Sequence, residues 1–132
     1  MFFGTHERNM DDKGRVVIPT EWRAELGGEF MGYAAEDPCV ELVPASGWTV
    51  LEQRVGDRDP FDRRTRRLER IYFGGAHKCS VDEAGRTVIP PALRKEAKLG
   101  KDVVFVGTRS RIELWDADLW RKTRAELLAE EE

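Results

Sequence analysis

The chain carries one segment twice, and this limits its possible folds more than anything else in the sequence. Asp11 to Arg23 reads DDKGRVVIPTEWR and Asp82 to Arg94 reads DEAGRTVIPPALR, at an offset of 71 residues. Seven of the thirteen positions are identical, namely Asp, Gly, Arg, Val, Ile, Pro and the final Arg. The match extends upstream, where Gly4-Thr5-His6 aligns with Gly75-Ala76-His77. Downstream, with one extra residue, Glu41-Leu42 aligns with Glu113-Leu114 and Trp48 with Trp120. Two copies are too few for a solenoid. In 132 residues, two units of about 60 each bury too little surface alone and must share a core or oligomerise. A duplicated domain about a pseudo-two-fold axis is the expected architecture.

Each copy reads locally as turn, strand, short helix and hairpin. Asp12-Lys13-Gly14 and Glu83-Ala84-Gly85 are tight turns, with glycine supplying the positive φ. Arg15 to Ile18 and Arg86 to Ile89 are rich in β-branched residues and predict strands. Pro19 and Pro90-Pro91 end them and open helices over Thr20 to Leu26 and Pro91 to about Leu99. Gly27-Gly28 and Gly100 are expected as their C-terminal glycines. Hairpins follow, pairing Phe30–Ala35 with Cys39–Val43 and Val103–Gly107 with Ile112–Trp115. Further helices carry Trp48, Leu51 and Val55, and, after an Asp116 N-cap, Trp120, Thr123 and Leu127. Between the copies a connector helix is predicted over residues 60–72, with Asp59 as N-cap and Asp62 at the capping-box position. Phe61, Thr65, Leu68 and Tyr72 share one of its faces. Its arginines, Arg63, Arg66, Arg67 and Arg70, lie among four acids and read as a solvated, acid-paired face ahead of a phosphate-binding one.

Charge decides which partners are open to the chain. The net charge is −3, but it is segmental. Residues 29–52 carry five acids and no base, whereas residues 71–111 carry eight bases against four acids. Residues 112–132 alone are at −4, which leaves residues 1–111 at +1. A basic face therefore coexists with an acidic end, Glu130-Glu131-Glu132, expected to be solvated and frayed. No run of 18 apolar residues is present. Met1 to His6 lacks a secretory n-region, so a cytoplasmic protein is expected. Cys39 and Cys79 form neither a disulfide framework nor a metal knuckle and read as reduced structural thiols.

No constellation for catalysis or cofactor binding is visible. GxSxG, HExxH, a Walker loop and GxGxxG are all missing from the chain. His6 and His77 occupy equivalent positions without a neighbouring Cys or acid at ligand spacing. Either they pack near the turns or they reach a partner. Asp11 and Asp82 each have an arginine four residues on, Arg15 and Arg86, which suits them to bracing the turn. An arginine at such a turn suits a guanine edge or a phosphate equally well. The remaining class is a binding module without cofactor, metal or small-molecule substrate.

The block D-x-x-G-R-x-V-I-P-x-x-x-R resembles the SpoVT/AbrB swapped-hairpin DNA-binding domains. Two such blocks, a helical linker and the opening Met1-Phe2-Phe3-Gly4-Thr5-His6 resemble the MraZ family of bacterial transcriptional regulators, nearly end to end. The resemblance implies an α+β, mainly β fold. Tandem half-barrels would interlock in one pseudo-two-fold, double-psi-like core with short helices. It implies domains at residues 5–47 and 76–119, a helical linker at 48–75 and a C-terminal helix and acidic tail at 120–132. It further implies a homo-oligomeric ring of about eight subunits, located at the nucleoid. Such a ring would bind repeated boxes of double-stranded DNA in its own promoter and repress a division and cell-wall operon. Carried over by residue, the DNA contacts are Arg15 and its equivalent Arg86. Lys13 in the first turn and Arg23 and Arg94 after the short helices join them, with Thr5, His6 and Arg8 flanking. The second copy has Ala84 at the position of Lys13, so the first copy is expected to be the main reader. The alternative is an antitoxin-like protein-binding module of the same fold.

Overall fold

The computed structural model describes residues 1–34 and 36–130. Ala35, the expected end of one hairpin strand, and the terminal Glu131-Glu132 lie outside the described residues. The first repeat contributes strands β1 (Thr5–Asn9), β2 (Arg15–Val17), β3 (Glu29–Ala34) and β4 (Val40–Pro44). The second contributes β5 (His77–Ser80), β6 (Arg86–Val88), β7 (Asp102–Gly107) and β8 (Ile112–Asp116). The helices are α1 (Arg23–Leu26), preceded by a 3-10 turn at Thr20–Trp22, α2 (Ala45–Gly56), α3 (Arg63–Leu68), α4 (Pro91–Glu96) and α5 (Ala117–Glu130). The fold is a mixed α and β one, with antiparallel strands and short helices.

The repeats do not fold side by side; they exchange strands. In the six-stranded sheet the order is β1-β7-β8-β4-β3-β5. The first strand of repeat one thus pairs with the hairpin of repeat two, and β5 of repeat two pairs with the hairpin of repeat one. The two hairpins join through β4 and β8 at the centre. The short strands β2 and β6, which follow the two tight turns, pair with each other as a separate ribbon. Equivalent backbone bonds tie each repeat to the turn of the other: Ile18 N donates to Gly85 O (2.9 Å) and Ile89 N to Gly14 O (2.8 Å).

The repeated apolar positions meet in one core. Ile18 and Ile89, Trp22 and Leu93, and Leu26 and Ala97 are all buried. Around them pack Phe2, Val40, Leu42, Phe105, Ile112 and Leu114 from both repeats. The proline at each strand end turns the chain so that the short helix lays its apolar side inward.

Three details differ from expectation. The connector helix starts at Arg63, later than predicted, because Asp62 is its N-cap and accepts from Arg64 N (2.8 Å). Asp59 accepts instead from Phe61 N in the preceding turn, so Phe61 is off the helix and 85% exposed. Thr65 is buried, and Tyr72 lies in a π-helical turn (Glu69–Phe73) that packs edge-on to Tyr33. Gly27 ends α1 with a φ of 85° as expected, but α4 stops at Glu96, and the left-handed position after it is taken by Lys98 at φ 55°, before Gly100 is reached. Finally, Leu127 stays exposed, because α5 runs beyond the sheet that its first turns cover.

Candidate nucleic-acid interface

The two tight turns are built alike, atom for atom. Asp11 Oδ1 accepts from the backbone N–H of Lys13 (3.0 Å) and Arg15 (2.9 Å), while Oδ2 takes Arg15 Nε (2.6 Å). Asp82 Oδ1 accepts from Ala84 N (2.9 Å) and Arg86 N (2.8 Å), and Oδ2 from Arg86 Nε (3.0 Å). The N–H of Arg15 above all, with its guanidinium, holds the Asp11 carboxyl below the ordinary carboxylate range. Arg86 does the same for Asp82. Each bond engages Nε, so the Nη edge of each guanidinium forms the outer, half-exposed end of the side chain.

Each turn is also covered by an arginine from the other repeat. Gly14 and Gly85 take φ values of 81° and 79°. A Cβ on Gly14 would stand 2.7 Å from Ile89 O and 2.8 Å from Arg94 Nε. One on Gly85 would collide with the Arg23 guanidinium. Arg23 Nε donates to Ile18 O (3.0 Å), and Arg94 Nη1 to Asp12 O (3.4 Å). Arg23 and Arg94 therefore sit across the turns and position them.

The ribbon of β2 and β6 presents one inner and one outer face. Val16 and Thr87 are cross-strand partners and both are buried. By the period of two, Arg15, Val17, Arg86 and Val88 share the outward face. Val17 is 37% exposed and Val88 51%. Antiparallel register sets Arg15 opposite Val88 and Val17 opposite Arg86. Beside this face lies a groove of about 270 Å³ lined by Asn9, Asp11, Arg15, Arg86 and Lys101 together with the apolar Met10, Val16 and Val17. Of its three basic side chains, Arg15 and Arg86 are each paired with the aspartate of their own turn, and Lys101 stands beside them.

The other expected site residues are placed apart from this groove. Lys13 is exposed at the tip of the first turn. His6 lies on β1 opposite Phe105, with Nε2 2.9 Å from Glu21 Oε1 and its ring edge-on to Trp22 at 4.9 Å. Thr5 stands at the far end of β1, about 13 Å of strand from Asn9. Arg8 donates to Glu7 O and lines a separate concavity with Asp102 and Arg121. His77 Nδ1 approaches Gly75 O (3.2 Å). Lys101 was not legible in the sequence, because only the β1–β7 pairing brings its loop beside Met10, whose N–H it accepts. Val17 and Val88 were read as strand formers only; the alternation of strand faces after a fixed turn was the signal that could have found them.

A third concavity, about 510 Å³, is acidic and aromatic, lined among others by Tyr33, Glu36, Asp37, Glu41 and Arg111. Arg111 bridges Glu41 and Glu113 within it, and burial raises the Glu41 carboxyl above its usual value. Burial also raises both thiols, Cys79 to about 11 and Cys39 higher still, so each is a neutral packing group at pH 7. Among the described residues, no group of three or more His, Cys, Asp or Glu side chains is placed to hold a metal ion.

These features define a class of protein: two homologous turn–strand–helix units that exchange strands in one core and put their arginine turns on a common outward ribbon. The comparisons with known proteins give the family. A family model described as "MraZ protein, putative antitoxin-like" matches twice, over residues 1–71 and 72–132. The transcriptional regulator MraZ of Halothermothrix orenii is 39% identical over 120 residues, covering 91% of this chain and 84% of that protein. That of Thioalkalivibrio sulfidiphilus is 39% identical over 136 residues, covering 100% of this chain and 91% of its own length. That of Pseudomonas syringae pv. syringae is 39% identical over 125 residues, covering 91% and 83%. The chain belongs to the MraZ family. Among the described residues no helix is long and apolar enough to cross a membrane.

Proposed function

We propose that this chain is a non-catalytic, sequence-specific DNA-binding regulator of transcription, working at the nucleoid in the cytoplasm. The observation that carries the reading is the outward face of the β2–β6 ribbon, where Arg15 and Arg86 stand beside Lys101. A two-stranded ribbon fits the major groove, and an arginine there takes a guanine edge bidentately. Bracing by Asp11 and Asp82 fixes each guanidinium before DNA arrives, so less side-chain freedom is lost on binding. Lys13 adds a phosphate contact on the first turn, and Arg23 and Arg94 act by holding the turns. The regulators named among its relatives support a role in transcription. In this reading residues 5–47 and 76–119 are swapped-hairpin units of one double-psi-like core, with the linker at 48–75 and the tail at 120–132.

One ribbon reads few base pairs, so useful affinity requires several subunits on repeated boxes. Exposed Met1, Phe3, Phe61, Leu127 and Leu128 are apolar surface that self-assembly would cover. The regulated DNA in this reading is the chain's own promoter, bound by a homo-oligomer that represses its operon.

The test is binding to the DNA upstream of the chain's own gene. Arg15→Ala should cost about 1–3 kcal/mol for each base pair contacted while the protein stays folded. Lys13→Ala should weaken binding evenly across sequences and reduce the salt slope by about 1. Inserting about half a helical turn, roughly 5 base pairs, between boxes should weaken binding if subunits share one face of the duplex. Wild-type affinity in a normally folded Arg15→Ala protein would overturn the reading.

A further inference from the structure

Two valines share the outward ribbon face with the arginines, and the fold does not use them. Val16 and Thr87, on the inner side of the same strands, are fully buried, whereas Val17 and Val88 project to solvent. The register makes two composite pairs, Arg15 with Val88 and Arg86 with Val17. Each pair takes its arginine from one repeat and its valine from the other. Directly opposed residues of an antiparallel pair have Cβ atoms about 4.5–5.5 Å apart, while bases along one strand are spaced by about 3.4 Å. An arginine and the valine opposite it therefore start about one to two base-pair steps apart. In the major groove thymine alone presents a methyl group.

We propose that Val17 and Val88 are specificity-determining residues, each packing on the C5-methyl of a thymine one or two steps from the base read by the opposing arginine. This rests on the DNA-binding reading above. Charge selects the occupant. A second copy laid on this face would bury four Arg–Asp pairs, from Arg15 and Arg86 of both chains, against each other, with no acceptors for the Nη groups that the aspartates leave free. A nucleic-acid groove instead offers acceptors to the arginines and methyl groups to the valines. The short side chains of valine reach only a group that protrudes into the groove, which the thymine methyl does.

The experiment compares two duplexes of the DNA upstream of the chain's own gene, one amplified with thymidine and one with deoxyuridine, which removes only the methyl. Wild-type protein should bind the uracil duplex more weakly by about fourfold for each methyl engaged, the factor corresponding to about 0.8 kcal/mol per buried methyl-sized group. The double variant Val17→Ala, Val88→Ala, altered only at exposed positions, should bind both duplexes alike, near the wild-type affinity for uracil DNA. Equal wild-type binding to the two duplexes would overturn the proposal. So would a double variant that still discriminates by the wild-type factor, since the methyl would then be sensed elsewhere. No binding to the thymine duplex at all would instead overturn the DNA-binding reading itself.

Discussion

At the turns, single carboxylates do most of the local work. Asp11 and Asp82 each accept two backbone N–H groups and one guanidinium N–H, and the pKa of each is lowered by those bonds. A lowered folded-state pKa stabilises the fold above the unfolded value, about 3.9, and that contribution is lost as pH falls through the folded value. Asp11→Asn keeps an acceptor oxygen and removes the charge. Its melting temperature should lie below wild type at pH 6, and the gap should close below about pH 4. A gap that stays constant from pH 6 to pH 2.5 would show that the charge contributes nothing. Thr87 presents the converse case. It is 1% exposed, and its hydroxyl has no hydrogen-bond partner among the described residues. Its pseudo-symmetric counterpart and cross-strand neighbour is Val16. Thr87→Val should therefore stabilise the protein, by about 1 kcal/mol, as measured by chemical denaturation. Destabilisation would mean that the hydroxyl is satisfied after all.

Among the elements, α4 shows how a helix end escapes a sequence reading. Lys98 N donates to Lys95 O (3.2 Å) and Leu99 N to Arg94 O (2.9 Å), the paired bonds of a Schellman ending. The position needing positive φ is occupied by lysine, at 55°. Leu99 then packs against the core, and that contact sets where the helix stops. Gly100, two residues later, was the expected ending because glycine is the usual residue there. Lys98→Gly should raise stability by about 1 kcal/mol, the strain that a left-handed non-glycine residue carries. An unchanged or lower denaturation midpoint would count against strain at Lys98. The connector helix gave the same lesson at its start. Both Asp59 and Asp62 suit an N-cap, and composition cannot rank them. The bond from Arg64 N to Asp62 does.

For the whole molecule, strand exchange makes the repeats interdependent. β1 finds its partner in β7, β5 in β3, and β2 in β6, each pairing crossing from one repeat to the other. A single repeat on its own, residues 1–75 or 76–132, retains its hairpin and loses these partners. Neither fragment should fold as a monomer. Sedimentation combined with amide NMR dispersion would check this, and a dispersed spectrum from a monomeric fragment would refute it.

The turn, strand, proline and short-helix order of each repeat is written in the sequence, because it depends on contacts a few residues apart. Glycine at positive φ, the Asp–Arg spacing of four and the β-branched run each act within one turn of chain. The duplication itself was legible as identity at a fixed offset, and so was Arg15 as a prominent candidate contact. Which strand pairs with which was not, since the ladders between the repeats join residues far apart in the chain, as Phe30 and Cys79 or Thr5 and Val106 are. That pairing alone brings Arg15, Arg86, Val17 and Val88 onto one face and Lys101 beside them. It also turns Arg23 and Arg94 onto the glycines of the opposite turns and leaves Thr5 and His6 away from the groove. Local sequence chose the conformations; long-range hydrogen bonding and the shared core decided which side chains meet.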